Sequence, residues 1–188
     1  MTRPLRLVIL GRQGSGKGTQ CARLVAHYGT VHVSTGDMLR AAIAEGTELG
    51  RQADAVMKAG NLVSDDIING IVRERLAKSD IRSGGVLLDG FPRTPPQAEA
   101  LEAMVGPGGL DAAINLEVPV TVVKERMLLR GRADDTPDAI ERRLSLYEQE
   151  TAPLIAWFAA RDLLVEVDGL GTEDAVFARL VAAIDARR

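Results

Sequence analysis

The chain has 188 residues, 46% of them hydrophobic, which suffices for one domain with a sizeable core; small inserts fit, and a second full domain is not expected. A net charge of −3, with one Trp, two Tyr and three Phe, argues against a nucleic-acid surface and against a stacking platform for single strands. Cys21 is the only cysteine, which excludes a disulfide framework and a cysteine-based structural zinc site and points to the cytoplasm.

The N-terminal segment carries Arg3 and Arg6 but an apolar run of only four residues, too short for a signal peptide or a membrane span. A soluble, unprocessed protein is expected. That run, Leu7, Val8, Ile9 and Leu10, reads as a strand and breaks into Gly11, Gly14, Ser15, Gly16, Lys17, Gly18 and Thr19 before helix-like residues 20–24. The pattern predicts strand, phosphate-binding loop, helix. A helix N-terminus leaves backbone N–H groups unpaired, and glycines let the preceding loop curl so that these donors converge on a polyphosphate. Lys17 adds a mobile cation for the terminal phosphates. Gly18 stands where a hydroxyl is usual, and Thr19 follows it. Cys21, in the helix, reads as a small buried residue and not as a nucleophile.

Residues 31–33 form a short strand candidate. Ser34, Thr35, Gly36 and Asp37 then suit either a helix cap or a ligand contact. His27 and His32 are isolated and read as packing or surface residues. Residues 41–76 read as helical with breaks near Gly46, Gly50 and Gly60 and a new N-cap at Ser64, a helical excursion between two strands. Residues 85–89 form a buried strand ending in Asp89, which at the carboxyl edge of a parallel sheet suits a carboxylate facing a metal. Gly90, Phe91, Pro92 and Arg93 follow directly, a sequence that alone also fits a strand-ending turn with an exposed arginine. Residues 94–104 predict a helix, 106–109 a loop, 112–117 a strand and 120–129 a helix.

Arginine supplies 19 of the 23 basic side chains, and its densest run is Arg126, Arg130 and Arg132, followed by Arg142 and Arg143. A solvated helix face paired with Asp134, Asp135, Asp138 and Glu141 is one reading. Gly131 suggests instead a turn that carries two arginines outward. Thr136 and Pro137 fit the N-cap and first position of a helix to about residue 160, on which Tyr147 and Trp157 read as core. A last strand at 163–167 and a last helix at 172–186 complete the chain. Five strands alternating with helices predict an α/β fold, a parallel sheet covered on both faces with its ligand at the carboxyl ends of the strands.

Taken together these motifs resemble the adenylate kinase family over nearly the whole chain. Gly14 to Thr19 match the family's ATP loop. Thr35 and Arg40, Asn61, Leu62 and Val63, Gly90 to Arg93, and Gln97 match its acceptor segments. Arg130, Arg132, Asp134 and Asp135 match its short lid, Arg143 a later arginine, and Gly171 a backbone contact near the donor adenine. The resemblance implies a P-loop NTPase-like five-stranded sheet in one domain. Its core would be residues 1–33, 64–128 and 136–188, with an AMP-binding excursion at 34–63 and a lid at 129–135. It also implies phosphoryl transfer from MgATP to AMP, giving two ADP, by a cytoplasmic monomer with no nucleic-acid or membrane partner. Lys17 and Arg130 would hold donor phosphates, and Arg40, Arg93, Arg132 and Arg143 the AMP phosphate and the transferring group. Thr35 and Gln97 would face the AMP base, and Asp89 would orient water on Mg²⁺. Two departures stand out: Gln13 where the family usually has proline, and Ser64 where proline commonly follows the Leu-Val pair.

The nearest rival is a UMP/CMP kinase on the same scaffold, in which alanine is typical at the position of Thr35. A hydroxyl-acceptor kinase would need a catalytic carboxylate and would have no use for several acceptor-side arginines. A GTP switch shares the loop, and Asp168 and Gly171 match its Asp-x-x-Gly spacing, but no Asn-Lys-x-Asp motif occurs. A non-catalytic nucleotide-binding module would bind ATP without turnover.

Overall fold

A computed structural model describes residues 4–106 and 109–188; Arg3 and the middle of the expected 106–109 loop, Pro107 and Gly108, lie outside the described residues. In chain order the elements are β1 (Arg6–Leu10), α1 (Lys17–Tyr28), β2 (Val31–Ser34), α2 (Thr35–Ala44), α3 (Glu48–Lys58), α4 (Asp65–Leu76) and α5 (Ser79–Gly84). There follow β3 (Val86–Asp89), α6 (Pro95–Val105), β4 (Ala112–Glu117), α7 (Val120–Arg130), α8 (Pro137–Leu146), a π turn (Tyr147–Thr151), α9 (Pro153–Ala159), β5 (Leu164–Asp168) and α10 (Glu173–Asp185).

The sheet has the order β2-β3-β1-β4-β5, and every adjacent pair is parallel. Because side chains alternate across a strand, Val8 and Leu10 of β1 enter one core while Leu7 and Ile9 enter another. Burial on both faces is why the strand reads as an unbroken apolar run. α1 and α10 cover one face through Leu24 and Leu180, both without exposed surface, each contributing about 1.5–3 kcal/mol by burial. Leu39, Val72, Leu101 and Phe158, from α2, α4, α6 and α9, build the core on the other face. Val123, Met127, Ile140 and Leu144 join α7 to α8 in a smaller cluster. Register pairs Asp89 with both Ile9 and Ser34, so β1, β2 and β3 end level at one edge. From β1 the chain passes over β3 to reach β2, and from β3 it crosses β1 to reach β4. Ligands of open parallel sheets bind at such a reversal, outside the carboxyl ends.

The predicted strands and helices are present with ends displaced by a residue or a few, and four differences have local causes. Gly46 and Gly60 do end helices, but Gly50 lies inside α3. A Cβ there would lie 2.1 Å from the Ala42 carbonyl oxygen, so glycine serves the close approach of α2 and α3. The expected helix from 136 to 160 is interrupted by the π turn, in which the Ala152 amide donates to the Tyr147 carbonyl at 2.7 Å. α5, which lacks any apolar periodicity, was not expected; it anchors itself by buried Ile81. Ser64 stands at the N-cap of α4 but its side chain makes no capping bond. Among the described residues no helix is long and apolar enough to cross a membrane.

Candidate active site

The loop after β1 is shaped by its own backbone. The Ser15 amide donates to the Arg12 carbonyl at 3.1 Å, and Gly14, third in that turn, has φ +82°, the geometry of a type II turn. A Cβ on Gly14 would lie 2.7 Å from the Val123 carbonyl oxygen, so α7 approaches as closely as glycine permits. Gly16 is the N-cap of α1 and supplies no side chain to its first turn, whose amides are then available to an anion. The Lys17 Nζ donates to the Gly11 and Arg12 carbonyls at 2.6 and 2.9 Å. Burial pushes this ammonium downward from its ordinary pKa, and the Asp89 carboxylate opposes that. Gln13 Oε1 and Ser15 Oγ are buried without a hydrogen-bond partner among the described residues, two acceptors left open in one loop.

On the other side of the cleft, Ser34 and Thr35 divide two roles. Ser34 caps α2 by accepting from the Asp37 amide at 3.3 Å. Thr35 donates to the Gly90 carbonyl at 2.9 Å, and the same oxygen accepts from Arg93 Nε at 2.8 Å. The Arg93 amide donates to Gln97 Oε1 at 2.8 Å, and Gln97 Nε2 donates to Asp65 at 2.7 Å. Thr35 and Gln97 are buried, and the Gln97 amide keeps one donor and one acceptor position unspent. Arg40 pairs with Asp37 at 2.5 Å, and Asn61 accepts from Arg142 at 2.9 Å.

Arg130, at the end of α7, and Arg132, on the turn that follows, both line the cleft, and carboxylates of the same segment hold it there. Gly131 ends α7 in the left-handed region, φ +62°. Arg130 then forks onto Asp135 at 2.9 and 2.8 Å, while Arg143 reaches Asp135 at 3.0 Å and Asp134 at 2.5 Å. The Asp135 side chain has no exposed surface, and these arginines hold its carboxyl below the ordinary range although burial works the other way. Burial and neighbouring cations disfavour protonation of Arg93, beside Arg143 and Arg40, and of Arg132, beside Arg130 and Arg40. Crowding of guanidinium groups that stay charged is relieved by an anion between them.

These groups face one cleft of about 440 Å³. Of the residues singled out from the sequence, it is lined by Gly14, Gly16, Lys17, Gly18, Thr19, Thr35, Arg40, Asn61, Leu62, Val63, Asp89, Gly90, Pro92, Arg93, Gln97, Arg130, Arg132 and Arg143. Three of them do not line it. Ser15 is buried behind the loop, Phe91 is fully buried in the core, and Gly171 lies in the β5–α10 turn beside Arg179. Burial pushes the Asp89 carboxyl up, but His32, Lys17 and Arg93 outweigh it and keep the group ionised. Gln13, Arg126 and Tyr147 line the cleft without having been singled out for it. Arg126 belonged to the visible arginine run and donates to the Ser15 carbonyl at 3.4 Å. Tyr147, expected in the core, is half-buried at the end of α8, where it lines the cleft and lies 5.1 Å from the Arg12 guanidinium.

Cations gathered around an uncapped helix N-terminus, at the strand-order reversal of a parallel sheet, form a site whose chemistry suits an anionic ligand. A model of the adenylate kinase family matches residues 9–163. An adenylate kinase of Stenotrophomonas maltophilia (strain R551-3) is 50% identical over 186 residues, which cover 96% of this chain and 99% of the relative. One of Synechococcus sp. (strain WH7803) is 46% identical over 181 residues, 95% of this chain and 98% of the relative. One of Xylella fastidiosa (strain 9a5c) is 46% identical over 186 residues, with 96% and 99% covered. The chain belongs to the adenylate kinase family, whose members are phosphotransferases.

Proposed function

We propose that the protein transfers a phosphoryl group reversibly from MgATP to AMP, giving two ADP, and so balances the adenine nucleotides. The observation that carries this reading is the convergence of Lys17, Arg40, Arg93, Arg130, Arg132 and Arg143 on one cleft with no histidine among its described lining residues. An acceptor phosphate is already anionic at neutral pH and needs no general base. Positioning and charge neutralisation are what the reaction asks of the protein.

Lys17 and the first-turn amides of α1 hold the donor phosphates, with Arg130 beside them. Arg40, Arg93, Arg132 and Arg143 hold the acceptor phosphate and the group in flight. Thr35 and Gln97, fixed by Gly90, Arg93 and Asp65, read the adenine of AMP. Asp89, ionised and facing the same cleft as Lys17 and Thr19, fits a water-bridged contact to the Mg²⁺ that accompanies ATP and neutralises phosphate charge. Residues 34–63 act as the AMP-binding segment and 129–135 as a short lid on the remaining core. Lid closure excludes water that would otherwise take the phosphoryl group, a motion for which the adenylate kinase lid is a known example. That the cleft's cations all come from one chain supports action as a monomer, and family membership supports nucleotides as its substrates and the cytoplasm as its compartment.

A coupled assay of ADP formation from MgATP tests this with AMP, CMP, UMP or no acceptor. Rapid turnover with AMP alone is expected. A preference for CMP or UMP overturns the roles of Thr35 and Gln97, and turnover independent of any acceptor overturns the reaction.

A further inference from the structure

Behind the phosphate loop, three side chains from three elements meet that the proposed reaction does not bring together. Cys21 comes from α1, His32 from β2 and Asp89 from the end of β3, and their ligand-type atoms all lie within 4.8 Å of one another. His32 Nε2 is buried and has no hydrogen-bond partner among the described residues. It lies 3.6 Å from Asp89 Oδ2, longer than a hydrogen bond and an ion pair only when the imidazole is protonated. That spacing suits two ligands of one ion: tetrahedral zinc, with bonds of about 2.0–2.3 Å, places neighbouring ligand atoms about 3.3–3.6 Å apart. Bringing the sulfur to the same spacing asks for side-chain shifts of about 1 Å.

We infer that Cys21, His32 and Asp89 form a binding site for a thiophilic divalent cation such as Zn²⁺, which shares only Asp89 with the contact proposed for the Mg²⁺ that accompanies ATP. A thiolate, a neutral imidazole and a carboxylate together carry two negative charges, which balance the ion. They supply three protein ligands and leave a fourth position for water. Binding forms the S–metal bond as the thiol loses its proton to solvent, so no redox partner is required. Softness selects the metal, since sulfur and imidazole favour Zn²⁺ over Mg²⁺. Asp89 lines the cleft, while Cys21 and His32 do not. An ion held there occupies the carboxylate that faces Lys17, so Zn²⁺ inhibits turnover. That consequence rests on the reaction proposed above; the site itself does not.

The test is a Co²⁺ titration of the full chain, read by near-ultraviolet thiolate-to-cobalt charge transfer, followed by displacement with Zn²⁺. Because Cys21 is the only cysteine, any such band reports this residue. One Co²⁺ per chain with the band is expected, displaced by one equivalent of Zn²⁺. Cys21→Ala abolishes the band, and both Cys21→Ala and His32→Gln weaken Zn²⁺ by at least about 100-fold, the upper end of what loss of an outer-shell partner costs. Cys21→Ala retains turnover with MgATP and AMP but loses inhibition by Zn²⁺. A wild-type chain that binds no Co²⁺ with a thiolate band overturns the site, whatever its turnover. Unchanged Zn²⁺ affinity in His32→Gln removes the imidazole from it, and equal inhibition of wild type and Cys21→Ala overturns the link to Asp89.

Discussion

Between β1 and α1 the cleft wall is held by backbone; between α7 and α8 it is held by side-chain charge. The first wall takes its form from the Arg12 to Ser15 turn, from glycine at positive φ, and from the close approach of Gly14 to the Val123 carbonyl. The second has few such constraints and hangs on Asp134 and Asp135, which grip Arg130 and Arg143. A wall of backbone amides stands ready for phosphate before phosphate arrives. A wall of ion pairs must share its arginines with the ligand, and so can move when the ligand binds.

The comparison breaks hardest at Lys17, the one mobile charge of the backbone wall. Lys17→Ala should lower kcat by about 10³ or more, as loss of a charge-stabilising group does. Its melting temperature should stay within about 4 °C of wild type, because the Arg12 to Ser15 turn and the positive-φ glycines keep the loop's shape when the two bonds from Nζ to the Gly11 and Arg12 carbonyls are lost. Rapid-quench turnover beside calorimetry separates the two, and near-normal kcat removes Lys17 from the reaction.

Asp135→Asn attacks the charged wall and should do the reverse, acting first on stability. Denaturant titration should show a loss of about 3 kcal/mol, the low end for breaking a buried ion pair because Arg130 keeps contact with water. The pH dependence sharpens this. The Asp135 carboxyl is held below its ordinary value, so its stabilisation is fully present above the unfolded pKa, about 3.9, and is lost as pH falls through the lower folded value. Wild type should therefore lose stability below about pH 4, and Asp135→Asn should flatten that acid limb. Parallel acid limbs in the two proteins would remove Asp135 from the latch.

Gly14→Ala tests the backbone wall by shape alone. With φ +82° and 2.7 Å to the Val123 carbonyl, the alanine should cost about 1–3 kcal/mol and weaken ATP binding while AMP binding persists. Calorimetric titration with each nucleotide reads both, and unchanged ATP affinity would show that the turn does not shape the donor site. The smallest effect is expected at Gln13, second in the same turn, where proline is the favoured residue. Gln13→Pro should add about 0.4–1 kcal/mol by restricting the unfolded chain, and it also removes a buried acceptor without a partner. A lower denaturation midpoint would mean that Gln13 does not adopt the proline-compatible conformation.

The sequence by itself determined what depends on neighbours along the chain. Leu7 to Leu10 running into glycines and Lys17 specifies a strand, an uncapped helix start and an anion cradle, and Thr136 with Pro137 specifies where α8 begins. Alternation of five such strands with helices then leaves few arrangements other than a covered parallel sheet. Only the tertiary structure decided what depends on segments meeting through space. Gly50 looks like a helix end until Ala42 of another helix is found against it, and Tyr147 looks like core until the end of α8 is found to face the cleft. Nothing in the spacing of Arg130 and Arg143 shows that both grip the one Asp135 carboxylate, whose side chain has no exposed surface. Cys21, His32 and Asp89 read separately as a small core residue, an isolated histidine and a strand end, because no spacing in the chain records that a helix and two strands bring them within reach of one ion.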